Sequence, residues 1–549
     1  TEDRNFNYTW RNTLSYNYVL AEKHRFSLMV GQECRSNKYD GVASTIYGYF
    51  PGRGKSVSLP PTIIKDQNGE DRRNDLLDKY TTVVTDRKSN YIGYFASFTY
   101  GFDERYILTA SFRSDASNRF GQDTRNRFLP VWSIGGRWNV HYEPWMQNQQ
   151  VISDLNFRVS YGWQGNVAEN YGPDLIARIG SGTETIDQNR TGEYMMFIKS
   201  LPYGNLRWEK TKDMKVALDF GLFNDRLTGI IEGYYRKTTD MVTSVRVLTT
   251  TGYSKQQYNT ANVENKGIEA TLNGTPVKTK DFTLSLSGNI AYNMNRITRY
   301  KDPLNKLSYA GYWEGYPMEA IYSGRLTGID PDTGLYSFQL RPDAEINTAT
   351  DLNKFDNYQF YLGTGEAPIT GGFNITAEYK GVRLSVNGTY ATGSKVLEYI
   401  KPPVSYQNTG YGTQSESTQV FENDLFTKQL NVPKIAGDRW TPNNTDGTYP
   451  RVWNVFKDSY NFGYYNPMDP NITRGAYLTN LSYVRIKSII VGYSLPKKLL
   501  NQTALSNVDF SMALNNFFTF TSYKGMDPET PGATYPVSRS VMFSVNVGF

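Results

Sequence analysis

Between residues 394 and 477 the sequence sets Tyr399, Tyr406, Tyr411, Trp440, Tyr449, Trp453, Tyr460, Tyr464 and Tyr465 beside Arg439 and Arg451. Flat aromatic faces stack on sugar rings or grip peptide side chains, and an arginine fork pairs with carboxylates. These residue types point to noncovalent binding. Tyr406, Tyr411, Arg439, Trp440, Tyr449, Arg451 and Trp453 are the candidate ligand contacts. The competing role for each is to pack one loop on another or to meet a partner protein.

Covalent chemistry finds less support. No Ser/His/Asp set and no pair of carboxylates stands out, so no enzyme activity is expected. His24 and His141 are too few and too far apart in sequence for a zinc site, and the single Cys34 rules out an internal disulfide or a thiolate cluster. GRGKS at 52 to 56 has Tyr49 where a phosphate-binding loop needs its first glycine. Asp330, Asp332 and Gly334 begin like a calcium loop but lack the later ligands, so a plain turn is expected. Asn387-Gly388-Thr389 is read as strand rather than as a glycan acceptor. No metal or cofactor is implied. The net charge of +6 is the balance of 59 basic and 53 acidic residues spread along the chain, which argues against nucleic acid as a partner.

The loop must be held by something, and the flanking sequence alternates with period two. In FTLSLSGNIAYN (282 to 293), Phe282, Leu284, Leu286, Ile290 and Tyr292 fall on one face and the small polar residues on the other. VRLSVNGTY (382 to 390), YILTASFR (106 to 113), VDFSMALNNFF (508 to 518) and the terminal SVMFSVNVGF repeat the pattern. Chain ends are usually polar and frayed. An apolar last strand ending on Phe549 is expected only where the strand is paired and its outer face meets lipid. No run reaches the roughly 20 apolar residues of a membrane helix, whereas strands of about ten residues suffice for a barrel wall. Leu286 is therefore expected to face lipid and Ser287 the lumen, with Tyr91, Tyr106 and Trp138 in interfacial girdles.

Short connections near 101 to 105, 222 to 226, 275 to 281, 379 to 382 and 494 to 507 alternate with long ones at about 35 to 89, 165 to 211, 294 to 369 and 394 to 477. Short turns on the periplasmic side and long loops outside mark an outer-membrane barrel. A propeller would repeat every 40 to 45 residues or so, and no such period is seen. Hairpins turning near 21, 102, 145, 223, 277, 380 and 500, with the last strand, make fifteen strands. An odd number puts the two chain ends on opposite sides, so with a periplasmic C-terminus Thr1 begins in an extracellular loop. A barrel starting there would leave open strand edges in lipid, and residues 1 to 549 are therefore expected to be the C-terminal part of a larger barrel. TEDRNFNYTW carries no export signal, so either the chain is not exported or its true beginning is missing.

Several stretches resemble the SusC/RagA family of TonB-dependent outer-membrane transporters of Bacteroidetes-type bacteria. They include DERYILTASFRSDASNRFG (103 to 121), NVENKGIEATLNG (262 to 274), GIDPDTG (328 to 334), LTNLSYVRIKSIIVGYSLPKKLL (478 to 500) and NNFFTFTSYKGMDPE (515 to 529). The resemblance implies an all-β transmembrane antiparallel β-barrel, of which this chain would supply about the last fifteen of 22 strands. It further implies a plug domain and first strands outside this chain, a SusD-like surface lipoprotein as lid, and energy from TonB-ExbB-ExbD. The implied cargo is an oligosaccharide or an oligopeptide. A passive outer-membrane porin and a soluble surface glycan-binding β protein are the alternatives.

Overall fold

The computed structural model describes every residue except 1, 45–48, 51–55, 58–81, 119–128, 147, 167–175, 180–195, 201–205, 249, 251–254, 302–311, 349–350, 352–353, 398–437, 449, 451–471, 473, 502 and 534. The main element is a 15-stranded sheet in which strands neighbour one another in chain order. Its strands are β1 (Glu2–Leu20), β2 (His24–Ser44), β3 (Thr82–Phe102), β4 (Tyr106–Ser117), β5 (Leu129–Asn139), β6 (Ile152–Asn166), β7 (Glu209–Leu222), β8 (Leu227–Arg246), β9 (Lys255–Lys278), β10 (Phe282–Tyr300), β11 (Ile369–Tyr379), β12 (Val382–Thr392), β13 (Tyr483–Ser494), β14 (Asn507–Thr521) and β15 (Ser540–Gly548). Every strand pair whose register is defined is antiparallel, as hairpins require.

Local chemistry makes the turns. Ala21 and Glu22 after β1, Asp103 and Glu104 after β3, and Phe223 to Asp225 after β7 all have positive φ. Consecutive left-handed residues give the turn the same twist as the strands it joins. The β11–β12 turn uses Lys380 and Gly381, at φ 47 and 87°.

The expected strand length needs correction. β2 and β3 run 21 residues each and β9 runs 24, well beyond the ten or so that cross a bilayer. The extra length is polar hairpin: Ser44 still pairs with Thr82, inside the stretch expected to be loop. In water, beyond the bilayer, backbone pairing needs no apolar alternation.

The chain divides into two compact units. In the first (1–219, 232–265, 298–305), Trp10, Leu14, Leu28, Leu108, Ile134, Val159 and Leu218 stay exposed along one face of the sheet. In the second (220–231, 266–297, 306–549), Ile268, Leu272, Leu286, Ile290, Ile375, Leu384 and Phe510 do the same, and Phe543 of β15 is 75% exposed. Among the described residues, few apolar side chains are buried. These strands present their apolar side chains outward, the reverse of a water-soluble sheet.

Candidate functional site

The polar face of the first unit carries ion pairs that cross from strand to strand. Arg11 lies opposite Glu33, its Nε donating to Oε2 at 2.7 Å. Arg113 reaches Glu33 at 3.5 Å and Asp115 at 2.7 Å, and the Arg11 and Arg113 guanidinium groups both stand 5.8 Å from the Phe95 ring. Farther along, Arg158 pairs with Asp219 at 2.7 Å, Lys215 with Glu232 at 3.0 Å and Arg236 with Asp213 at 2.8 Å. All of these pairs except Arg113–Asp115, which lies within β4, join residues on different strands. The same face holds Tyr91, under the Arg35 guanidinium at 4.5 Å. Tyr91 is thus a polar-face residue, not part of an interfacial girdle: in β3 it shares parity with Gly93, where an added Cβ would meet Asp115 and Arg113.

Tyr106 and Trp138 occupy the apolar face at the short-turn end, their rings stacked 6.5 Å apart. The Tyr106 hydroxyl and Trp138 Nε1 both donate to Glu143 Oε1, at 2.6 and 3.0 Å, and Arg105 pairs with its other oxygen. These donors hold the Glu143 carboxyl below its ordinary range, Tyr106 contributing most, against an opposing effect of burial.

The second unit gathers aromatic residues between β10 and β11. Trp313 lies 4.7 Å from Tyr322 and Tyr316 lies 4.9 Å from Tyr361, measured between ring centroids. The Arg341 guanidinium stands over Trp313 at 5.7 Å and pairs with Asp343. Burial, and next the neighbouring Tyr316 and Tyr361, push the Tyr322 hydroxyl far above its ordinary pKa. This cluster was not identified from sequence; the aromatic density of YWEGYP at 312 to 317 was the available signal.

Of the seven candidate contacts, Tyr406, Tyr411, Tyr449, Arg451 and Trp453 lie outside the described residues. Arg439 and Trp440 are described and half-buried. Trp440 covers the turn at Gly334: a Cβ added there would fall within 2.4 Å of the indole. Its Nε1 is buried with no partner among the described residues. The Arg439 carbonyl accepts from Asn444 Nδ2 at 3.3 Å. The Gly334 turn is the stretch that begins like a calcium loop and is expected to be a turn. Asp330 accepts from the Asp332 and Thr333 backbone N–H groups at 2.9 and 3.2 Å, so its carboxylate closes its own turn. Among the described residues no cluster of His, Cys, Asp or Glu could hold a metal ion.

A buried charge network sits behind β13. Arg485 donates to Asp527 at 2.6 Å, Glu529 at 2.7 Å and Thr519 at 3.1 Å, and Lys487 adds a second cation to Glu529 at 2.6 Å. It ties the segment between β14 and β15 to the sheet.

Residues 1–342 match the family model described as "TonB dependent receptor-like, beta-barrel". TonB-dependent receptor P3 of Formosa agariphila is 25% identical over 98% of the chain and 50% of its own length. TonB-dependent receptor SusC of Bacteroides thetaiotaomicron is 27% identical over 84% of the chain and 44% of its own. The solved structure of the RagAB peptide importer in its open-open state superposes over the whole chain, covering 55% of that structure's chain, at 25% identity and a TM-score of 0.77. The chain spans about half the length of the curated relatives it matches. The outward apolar face, the polar face and the family match agree: this chain belongs to the TonB-dependent receptor-like β-barrel family, on its SusC/RagA branch, and its strands form wall of a bacterial outer-membrane β-barrel.

Proposed function

We propose that the protein works as an active nutrient importer of the outer membrane, taking up oligosaccharides or oligopeptides with energy from TonB-ExbB-ExbD. Residues 1–549 act as the C-terminal part of the barrel. A plug-bearing N-terminal part, supplied from outside these residues, closes the lumen, and a SusD-like lipoprotein covers the mouth. Family membership is the observation that carries this reading. The relatives being about twice as long as the matched region supports a larger whole. The polar face supports it physically: paired Arg, Lys, Asp and Glu make a wetted wall that does not grip one charge sign.

In this reading, loop residues Tyr406, Tyr411, Arg439, Trp440, Tyr449, Arg451 and Trp453 contact ligand on the outer side. The chain performs no covalent chemistry. Uptake of fluorescent oligosaccharides and oligopeptides by intact cells tests the proposal. Uptake should stop when the proton gradient is collapsed and when the lipoprotein is deleted. Uptake indifferent to the gradient would mean a passive pore instead.

A further inference from the structure

A groove of about 700 Å³ opens at the short-turn end of the second unit, a size typical of sites that hold one sizeable ligand. Phe223, Leu227, Leu272, Leu286, Phe373 and Ile375 line it. Leu272 and Leu286 are exposed on the apolar face, where Leu286 pairs across with Ile375. This is the side that meets lipid.

Two glycines keep the groove deep. A Cβ added at Gly288 would have only the Gly372 carbonyl oxygen near it, at 3.7 Å, and one at Gly274 would meet nothing closer than Leu227 Cδ1 at 3.6 Å. A larger side chain fits at either place, yet would fill the groove. The mouth carries a cation. Arg226 closes the β7–β8 turn, where its backbone N–H donates to the Phe223 carbonyl oxygen and its own carbonyl accepts from Thr275. Its exposed side chain makes no ion pair with the described residues. Short turns mark the periplasmic side, so Arg226 stands at the level of the inner-leaflet headgroups.

We propose that this groove is a binding site for one glycerophospholipid of the periplasmic leaflet, its acyl chains against Leu272, Leu286 and Ile375 and its phosphate on Arg226. A guanidinium fork matches a phosphate in charge and geometry, and the surrounding carbon surface matches the chains.

Native mass spectrometry of the intact detergent-solubilised complex, with phosphatidylglycerol or diacylglycerol added, tests this. One phosphatidylglycerol should survive activation that strips the other lipids, and diacylglycerol, which lacks the phosphate, should not. Arg226→Gln should lower retention by about tenfold, the scale of one hydrogen bond to a charged group, and Gly288→Leu should abolish it. Should Gly288→Leu fail to assemble, Arg226→Gln in the exposed turn decides alone. Equal retention by wild type and Arg226→Gln, or of phosphatidylglycerol and diacylglycerol, would overturn the proposal.

Discussion

Replacing Asp527 by Asn removes one negative charge and almost no volume from the network behind β13. Arg485 is 3% exposed and Asp527 2%. The carboxylate accepts from Arg485 Nη2 at 2.6 Å and from the Glu529 and Val537 backbone N–H groups at 2.9 and 3.3 Å. Breaking a buried ion pair by neutralising one partner costs about 3 to 5 kcal/mol, because the remaining charge stays out of water with less compensation. Glu529 keeps part of its hold on Arg485, which places Asp527→Asn near the lower bound. The exposed pair Lys38–Asp40, with side chains 45% and 43% exposed, supplies the control: Asp40→Asn should cost at most about 1 kcal/mol.

Denaturant titration of the folded protein in detergent gives both numbers, and limited proteolysis between β14 and β15 reports the local release. The pH dependence has a definite sign. Burial raises the Asp527 carboxyl, but the donors from Arg485, Glu529 and Val537 together outweigh it, so its folded pKa lies below the ordinary value. Its contribution is fully present above the unfolded carboxylate range near 3.9 or so and is lost as pH falls through the lower folded value. Asp527→Asn should remove this acid-limb dependence. A cost for Asp527→Asn no larger than that for Asp40→Asn would refute the reasoning.

Other perturbations probe other links. Leu286→Arg places a charge on the lipid face and should cost about 2 to 4 kcal/mol at midplane depth and less toward the headgroups. Ser287→Arg should cost much less, since Ser287 lies on the polar face, donating to Asn273 at 2.6 Å; equal costs on folding into lipid vesicles would contradict the facing. Gly334→Ala should destabilise its turn by roughly 1 to 2 kcal/mol from the left-handed backbone alone, because φ is +68° and the Trp440 ring occupies the space of the new methyl. A melt unchanged by Gly334→Ala would remove Trp440 from that turn. Lys354, then the Asn347 and Thr348 N–H groups, hold the Asp351 carboxyl far below its ordinary pKa. Asp351→Asn should therefore speed proteolysis around 347 to 354 at neutral pH, and the wild type should match it only in strong acid.

What could be read from the sequence was whatever a single strand or turn carries by itself. Val541, Phe543, Val545 and Val547 announce a lipid-facing strand without reference to any neighbour, and all are exposed in the fold. The turn at 222 to 226 is visible in the polar break between two alternating runs. Contacts that depend on register were not legible. Arg11 meets Glu33 because β1 and β2 pair in one register, and a shift by one residue would send the two to opposite faces. Residue type alone points Tyr91 to a girdle, whereas its position in β3 puts it on the polar face. Arg485 finds Glu529 across 44 residues, a distance no periodicity spans. The extent of β9 was hidden because KQQYNTANVENK, at 255 to 266, forms strand without alternation.

The proposed gated, lidded importer is tested most directly by the composition of the native particle. Mass spectrometry of every polypeptide in the detergent-solubilised particle should find a plug-bearing N-terminal part and a surface lipoprotein in stoichiometric amounts with this chain. A particle holding residues 1–549 alone would contradict the account and favour a passive pore.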